Sequence, residues 1–176
     1  MLQGSSKEYE KWWGLKLKAK VMHTSEYLEE KMKKGELKLS NVPATVTYHD
    51  PCHMGRHMNH YEVDMEGKKM WKGAFVQVDK PGLYETPRNV LKAIPGIQFK
   101  EMYRNRDNSF CCGAGGGIKS SYPDVALETA KTRVREAEGV DGVQKIVTPC
   151  PFCVTNLGDG AKALGSKMEV VDLIQL

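Results

Sequence analysis

Apolar and polar positions along this chain fall into short alternating runs separated by longer helical patterns, which is typical of strands followed by helices. The strand-like runs are Leu15 to Met22, Ala44 to Tyr48, Ile97 to Tyr103, Ile146 to Thr148 and Met168 to Leu173. Strands that alternate with helices favour a parallel sheet. The pattern therefore predicts an α/β domain with a Rossmann-like open, mostly parallel sheet and helices on both faces.

The predicted helices carry recognisable ends. Residues Thr24 to Lys34 place acids early and lysines late, which suits the helix dipole, and Gly35 can cap that helix. Pro87 opens a short helix that runs to about Ala93, and Pro123 opens a long one that runs to about Glu138. A last helix is expected from the cysteine pair near residue 150 to Leu164.

The domain is expected to span residues 15–176, after an N-terminal arm of residues 1–14. Residues Met58 to Glu85 are rich in Gly, Lys, Trp and Met and show no sustained period. We interpret them as a long inserted loop, and loops of this length are usually functional or bind a partner.

Composition narrows the class of protein. Hydrophobic residues make up 40% and charged residues 27% of the chain, as in ordinary globular proteins. The net charge of +4 comes from basic residues interleaved with acids, which argues against nucleic acid as a partner. The apolar runs are too short to cross a bilayer, so any membrane contact is expected through partner subunits.

The N-terminus shows no apolar leader, so we expect a cytoplasmic protein, or one held on the cytoplasmic face of a membrane complex. Thiols stay reduced in that compartment, and the chain has 5 cysteines, an odd number. Metal or redox chemistry is therefore the favoured role for these residues.

Cysteines lie just past three of the predicted strands: Cys52, the adjacent pair Cys111 and Cys112, and Cys150, which begins a C-x-x-C motif completed by Cys153. The carboxyl ends of parallel strands meet at one edge of a sheet, where ligands bind. The topology therefore predicts that the five thiols converge.

Thiolates are the ligands of iron-sulfur clusters, and a C-x-x-C at a helix start directs two sulfurs at one centre. Adjacent side chains diverge in a regular element, so the vicinal pair can serve one centre only from an irregular loop. Such a loop is predicted by the glycines that follow, whose backbone N–H groups could also bind the cofactor and raise its potential: Gly113, Gly115, Gly116 and Gly117.

Other interpretations stay open at this point. Loop thiolates with a C-x-x-C also form structural zinc sites, although zinc needs only four ligands. The Cys150 to Cys153 motif alone could be a dithiol redox pair, and the glycine-rich loop could be a phosphate loop or a plain turn. His53 follows Cys52 directly and is the candidate proton donor to a leaving thiolate, with a purely structural histidine as the alternative.

Three segments together resemble a known family. They are His49-Asp50-Pro51-Cys52-His53-Met54-Gly55-Arg56, Cys111-Cys112-Gly113-Ala114-Gly115-Gly116-Gly117 and Cys150-Pro151-Phe152-Cys153. This combination resembles the cysteine-rich CCG domain of heterodisulfide reductase catalytic subunits and of glycolate and lactate oxidase iron-sulfur subunits. The resemblance implies that the five cysteines hold a noncubane [4Fe-4S] cluster at which a disulfide is split.

Within that family the chain looks most like the reductase subunit of membrane complexes associated with sulfite respiration. The resemblance implies other redox subunits as partners, and a disulfide-bearing small molecule or a sulfur-carrier protein as substrate. Family members commonly carry two such motifs, so one motif suggests the C-terminal half of a larger protein or a split subunit. The alternatives are the iron-sulfur subunit of a glycolate or lactate oxidase and a zinc-stabilised assembly module without activity.

Overall fold

The computed structural model describes residues 13–14, 18–56 and 82–176. In these residues four strands form one parallel sheet in the order β2-β1-β3-β4. The strands are β1 (Ala44–Tyr48), β2 (Ile97–Phe99), β3 (Lys145–Val147) and β4 (Glu169–Val171). The predicted open parallel α/β fold is confirmed.

Five α-helices are described: α1 (Thr24–Lys33), α2 (Glu85–Ala93), α3 (Ile118–Ser121), α4 (Pro123–Glu138) and α5 (Pro151–Leu164). Short 3-10 turns occupy Arg106–Asn108 and Leu173–Gln175. Four of the helices follow the predicted bounds to within two residues. Proline at the start and glycine after the end mark α4 and α5, and the order of charges followed by Gly35 marks α1. The short helix α3 was not predicted.

Two predicted strands differ from the structure. Residues 18–22 of the Leu15 to Met22 run form no strand, and residues 15–17 lie outside the described residues. An alternating pattern becomes a strand only beside a hydrogen-bonded neighbour, and β2 and β4 are the edges of the described sheet. The strand predicted over Ile97 to Tyr103 ends at Phe99, which pairs in register with Val46 of β1.

The predicted N-terminal arm and inserted loop fall mostly on residues 1–12 and 57–81, which are outside the described residues. Of the loop, residues 82–84 and the first residue of α2 are described. The division of the chain into arm, domain and insertion therefore stays a prediction.

Separate hydrophobic cores lie on the two faces of the sheet. Helices α1 and α2 cover one face, whose core contains Val46, Tyr48, Leu91, Val147 and Leu173. Helices α4 and α5 cover the other face, whose core contains Ala130, Val134, Ile146, Leu157 and Ala161. In β3 the neighbours Ile146 and Val147 therefore serve opposite cores, as the pleat requires, whereas Val46 and Tyr48 of β1 both serve the core under α1 and α2.

Helices α4 and α5 pack closely through small residues. A Cβ on Gly160 would lie 2.8 Å from the Cβ of Ala130. The buried positions of α4 are Ala126, Ala130, Arg133, Val134 and Ala137, a helical stripe that includes one charged residue. The stripe places Arg133 inside the domain, beneath the carboxyl edge of the sheet.

Candidate metal centre

The order of the strands creates a crevice. Strands β1 and β3 are neighbours, yet the chain passes from β1 to β2 on one side and from β3 to β4 on the other. In open parallel sheets this reversal opens a crevice at the carboxyl ends of the strands, and ligands bind there. Cys52 lies in the turn after β1, and Cys150 lies between β3 and α5.

The first cysteine is carried by a turn at residues 52–55. The returning end of the inserted loop is held against this turn, because the Leu83 N–H donates to the Met54 carbonyl at 2.7 Å. A Cβ on Gly55 would overlap the ring of Tyr84, so glycine permits this close approach. The predicted insertion therefore leaves and rejoins the domain beside the first cysteine.

The sequence predicted that the vicinal cysteines directly follow a strand, but in the structure they do not. Strand β2 ends at Phe99, and the chain then runs through the 3-10 turn Arg106–Asn108 before it reaches the pair. Asp50, just after β1, holds this segment in place. Its Oδ2 accepts from the Arg106 N–H at 2.8 Å, and its carbonyl accepts from the Ser109 hydroxyl at 3.4 Å.

The last two cysteines begin α5. Cys150 is the N-cap residue, with an extended backbone, and Cys153 lies buried in the first turn. A hydrogen bond from the Cys153 thiol, helped by the backbone N–H groups of Cys153 and Phe152, lowers the pKa of Cys150 to about 6. The helix start therefore stabilises a thiolate at neutral pH.

All five thiols are free, and neighbouring thiols lie close enough to shift one another's pKa in one continuous series. Cys52 contacts Cys111, which contacts Cys112. Cys112 in turn contacts Cys153, and Cys153 contacts Cys150. The structure thus brings together the five cysteines that the sequence places in three separate segments.

The five thiols do not share one ionisation behaviour. Hydrogen bonds from Cys112 and Cys52, with the Gly113 N–H, lower the pKa of Cys111. The hydrogen bond to Cys111 is the main cause that raises the pKa of Cys52 and that of Cys112. Burial raises the pKa of both thiols further. Bonds to Cys112 and Cys150 raise the pKa of Cys153 as well. Neighbouring thiolates repel one another, so a bound cation is needed to ionise the whole set.

His49 is a buried neighbour of this set, with 1% of its surface exposed. One of its ring nitrogens and the sulfurs of Cys112 and Cys153 all lie within 4.8 Å of one another. Arg133 donates from Nε to His49 Nδ1 at 3.1 Å. Burial, and then the charge of Arg133, lowers the pKa of His49 to about 3, so the imidazole is neutral.

Two buried arginines fasten the loops that carry the cysteines. Arg88 of α2 donates to both carboxylate oxygens of Asp50, at 2.6 and 2.9 Å. Arg133 of α4 donates to the Ser109 hydroxyl at 3.2 Å and to the Arg104 carbonyl at 2.8 Å. The loop after β1 and the segment before the vicinal pair are therefore joined through charged hydrogen bonds.

The predicted glycine loop divides into two parts. Gly113, with φ of 90°, donates its N–H to the Cys111 sulfur at 3.3 Å, and a Cβ there would lie 2.7 Å from the Ala126 carbonyl oxygen. Gly115, Gly116 and Gly117 instead form the turn into α3. Among the described contacts none joins these three to a cysteine, and their cofactor-binding role stays a prediction.

His53 follows Cys52 directly in the chain, and its ring contacts the Cys52 thiol. Its Nδ1 lies 3.3 Å from the sulfur of Cys52. Burial lowers its pKa below the ordinary value for histidine. The geometry allows a proton to pass between the imidazole and this thiol.

Three fully buried hydroxyl groups have no hydrogen-bond partner among the residues that the structure describes. They belong to Thr47 and Tyr48 of β1 and to Thr148, the residue after β3. An unpaired buried hydroxyl is unfavourable and rare in native proteins. Thr47 lies within β1, whereas Tyr48 ends that strand and Thr148 directly follows β3, at the carboxyl edge where ligands bind in open parallel sheets.

Sequence reasoning missed four contributors to this site: Arg88, Arg133, Asn156 and Ala114. Asn156 donates to the Cys112 carbonyl at 2.7 Å, and the Ala114 N–H donates to the Cys112 sulfur. A signal existed for Arg133, since its spacing from Ala126 and Ala130 places it on the buried face of α4. The Ala114 N–H carried no signal, because every residue except proline has one.

Comparison with known proteins identifies the class. The sequence profile of the CCG cysteine-rich domain matches residues 46–158, so the chain belongs to this family. It is 40% identical over 164 residues to one subunit of the dihydromethanophenazine:CoB–CoM heterodisulfide reductase of Methanosarcina acetivorans. That match covers 93% of this chain and 34% of the relative.

Other relatives carry different names. A probable iron-sulfur-binding oxidoreductase of Bacillus subtilis is 33% identical, over 89% of this chain and 19% of its own length. One subunit of the CoM/CoB fumarate reductase of Methanothermobacter marburgensis is 30% identical, over 89% of this chain and 26% of its own length. The chain thus spans about a third or less of these relatives, and no solved structure matches it.

The described part of the chain has no helix that is long and apolar enough to cross a membrane. Its longest helix, α4, has 16 residues and carries charges along its length.

Proposed function

We propose that this chain is the iron-sulfur electron-transfer domain of a heterodisulfide-reductase-like oxidoreductase. In this proposal Cys52, Cys111, Cys112, Cys150 and Cys153 bind a [4Fe-4S] cluster of the noncubane type. The observation that carries the proposal is the continuous series of five free thiols at the crevice between β1 and β3.

The chemistry of the donor set fits such a cluster. Thiolates are the usual ligands of iron-sulfur centres, and the five thiols come from three loops that the fold fastens together. A cationic centre would favour ionisation of the thiols whose pKa is raised, such as Cys52 and Cys153.

When bound, the cluster would supply single electrons to a disulfide. The remaining roles fall to the protein. Cys150 and Cys153 anchor one side through the helix start, and the backbone N–H groups of Gly113 and Ala114 stabilise negative charge on the vicinal pair. His53, beside the Cys52 sulfur, is positioned to exchange a proton with a thiol at this edge.

Substrate and partners are proposed from the relatives. Their names include heterodisulfide and fumarate reductases, so the family does not specify one substrate. Because the chain resembles the heterodisulfide reductase subunit over 93% of its length, we propose a disulfide, on a small molecule or a sulfur-carrier protein. Other redox subunits would deliver the electrons, in the cytoplasm or on the cytoplasmic face of a membrane complex.

A second candidate is a zinc-stabilised module without redox activity. It is favoured by one observation: His49, Cys112 and Cys153 form a buried set with their ligand atoms within 4.8 Å of one another. Three such ligands plus one more cysteine complete a tetrahedral zinc site. This candidate leaves two of the five thiols without a role and requires His49 to give up either its bond from Arg133 or its Nε2 proton, which is why we prefer the cluster.

Metal analysis of anaerobically purified protein separates the two candidates. We expect a coloured protein with stoichiometric iron and acid-labile sulfide, and an EPR signal in the oxidised state. Each single cysteine-to-serine change should reduce iron and sulfide content. The exposed helical substitution Thr155→Ala, near the C-x-x-C motif, is the matched control and should leave both unchanged. A colourless protein that contains zinc and no sulfide would refute the cluster.

The substrate is tested with the intact complex. Reduction of thiol disulfides by the wild type, lost in the Cys52→Ser variant, is the expected result. Turnover of a 2-hydroxyacid without disulfide reduction would instead favour the glycolate or lactate oxidase alternative.

A further inference from the structure

Thr148 is the residue that directly follows β3, at the crevice. Strand register pairs Tyr48 with Val147, and the His49 N–H donates to the Val147 carbonyl at 2.9 Å. The parallel pairing therefore places Thr148 beside His49, one residue pair beyond Tyr48 and Val147 toward the carboxyl ends of the strands. Since Ile146 belongs to the core under α4 and α5, strand alternation directs Thr148 to the same face.

The same face carries part of the candidate metal centre. His49 lies with one ring nitrogen within 4.8 Å of the sulfurs of Cys112 and Cys153. Arginine has only donors, so the bond from Arg133 to Nδ1 makes that atom an acceptor. The imidazole proton is therefore on Nε2. A neutral N–H donor thus lies beside Thr148 on the wall of the crevice.

Thr148 itself is completely buried, with 0% exposure. Its backbone is satisfied, because its N–H donates to the Val171 carbonyl at 3.1 Å. Its hydroxyl, in contrast, has no hydrogen-bond partner among the residues that the structure describes. A valine of nearly the same shape would avoid the loss of solvation, so a threonine here points to a partner absent from the protein chain itself.

We propose that the Thr148 hydroxyl donates a hydrogen bond to a sulfur of the bound iron-sulfur cluster and thereby raises its reduction potential. This inference rests on the proposed function. Reduction adds negative charge to the cluster and its sulfurs, so an O–H donor stabilises the reduced state more than the oxidised state. Thr148 is thus a positioning and tuning residue rather than a ligand.

The test is a redox titration of the full chain, purified anaerobically with its cluster, followed by optical and EPR spectroscopy. Thr148→Val removes the hydroxyl and keeps the shape, and Thr148→Ser keeps the hydroxyl. Thr47→Val is the matched control, because Thr47 is equally buried and unpaired but lies further from the crevice. Unfolding midpoints of the metal-free proteins provide a second readout.

We expect Thr148→Val to disfavour reduction about tenfold, which lowers the midpoint potential of a one-electron couple by about 59 mV. Thr148→Ser should restore the wild-type potential, and Thr47→Val should leave it unchanged. Both valine variants should raise the unfolding midpoint of the metal-free protein, since both remove an unpaired buried hydroxyl.

An unchanged potential in a cluster-loaded Thr148→Val protein overturns the inference, and so does an equal shift in Thr47→Val. If the valine variant does not hold the cluster, Thr148→Ala is measured against the same criterion. Absence of iron and sulfide from the wild type would defeat the proposed function first, and a normal cluster with an unmoved potential would defeat only this inference.

Discussion

Arg88→Met is the sharpest test of how the fold supports the cysteine loops. Arg88 is completely buried and binds Asp50 with two hydrogen bonds, Glu101 with two more, and the Tyr84 carbonyl with one. Methionine retains much of the volume of the side chain and removes its charge. The substitution therefore leaves the two carboxylates without their shared cation.

The cost arises mainly at Asp50. Its side chain is 3% exposed, whereas that of Glu101 is 30% exposed and can regain water. Without Arg88, Asp50 keeps the Arg106 backbone N–H at 2.8 Å but loses both bonds to the guanidinium. Breaking a buried pair from one side costs about 3–5 kcal/mol, which is a large part of the stability of a typical domain. For a domain of this size the midpoint temperature should fall by roughly 6–20 °C.

The assay is urea unfolding of the reduced, metal-free full chain, followed by circular dichroism and extrapolated to water. Adding Asp50→Asn to Arg88→Met should recover about 2 kcal/mol, because an amide replaces the stranded carboxylate. Lys100→Met serves as the control. The Lys100–Asp141 ion pair is exposed, and its loss should cost less than about 1 kcal/mol.

Two results would refute this reasoning. One is a loss below about 1 kcal/mol in Arg88→Met, the value expected of a surface pair. The other is a double variant that is no more stable than Arg88→Met alone. The unpaired Asp50 carboxylate would then not be the cause of the lost stability.

Two further predictions concern the helices. Gly160→Ala should destabilise the protein, because the new Cβ would lie 2.8 Å from that of Ala130. Gly158→Ala, whose Cβ would have no atom within 4 Å, should stabilise the protein by about 0.5–1 kcal/mol. Urea unfolding compares the two variants, and equal effects would contradict the packing argument. His23 caps α1 by accepting the Ser25 N–H at 3.1 Å, and burial lowers its pKa. The unfolded chain then binds the proton more readily than the folded chain. The contribution of neutral His23 to the free energy of unfolding should therefore be complete above about pH 6.5 and decrease as the pH drops below that value. His23→Asn keeps a capping side chain and should reduce the slope of the stability curve below about pH 6.5, while the buried His49, with its pKa lowered to about 3, keeps part of that slope. An unchanged slope would contradict the prediction.

The fold class and most elements could be predicted from local patterns. Strand Ala44–Tyr48 and the long helix from Pro123 to Glu138 agree with the structure at both ends. Proline, glycine and charged residues determine where helices begin and end, and they act within one turn of the helix. The strand predicted at Leu15 to Met22 was wrong over residues 18–22, because pairing depends on a neighbour that a local pattern does not contain.

The types of residue at the candidate metal centre were also visible in the sequence, since every cysteine belongs to one of three motifs. Their convergence followed from the topology of parallel strands. The detailed explanation was incomplete, because the vicinal pair is separated from β2 by a long segment. That segment is held at the crevice by Asp50 and, through Ser109, by Arg133.

The sequence by itself therefore determined the alternation of strands and helices, the cysteine motifs and the edge of the sheet where they meet, because these depend on composition and spacing over a few residues. Only the tertiary structure decided which charged and polar side chains are buried around that edge. Arg88 and Asp50 are far apart in the chain, and neither has a local pattern that reveals its partner. Burial and long-range hydrogen bonding are properties of the packed domain, and they assign Arg88, Arg133, His49 and Thr148 their places beside the five thiols.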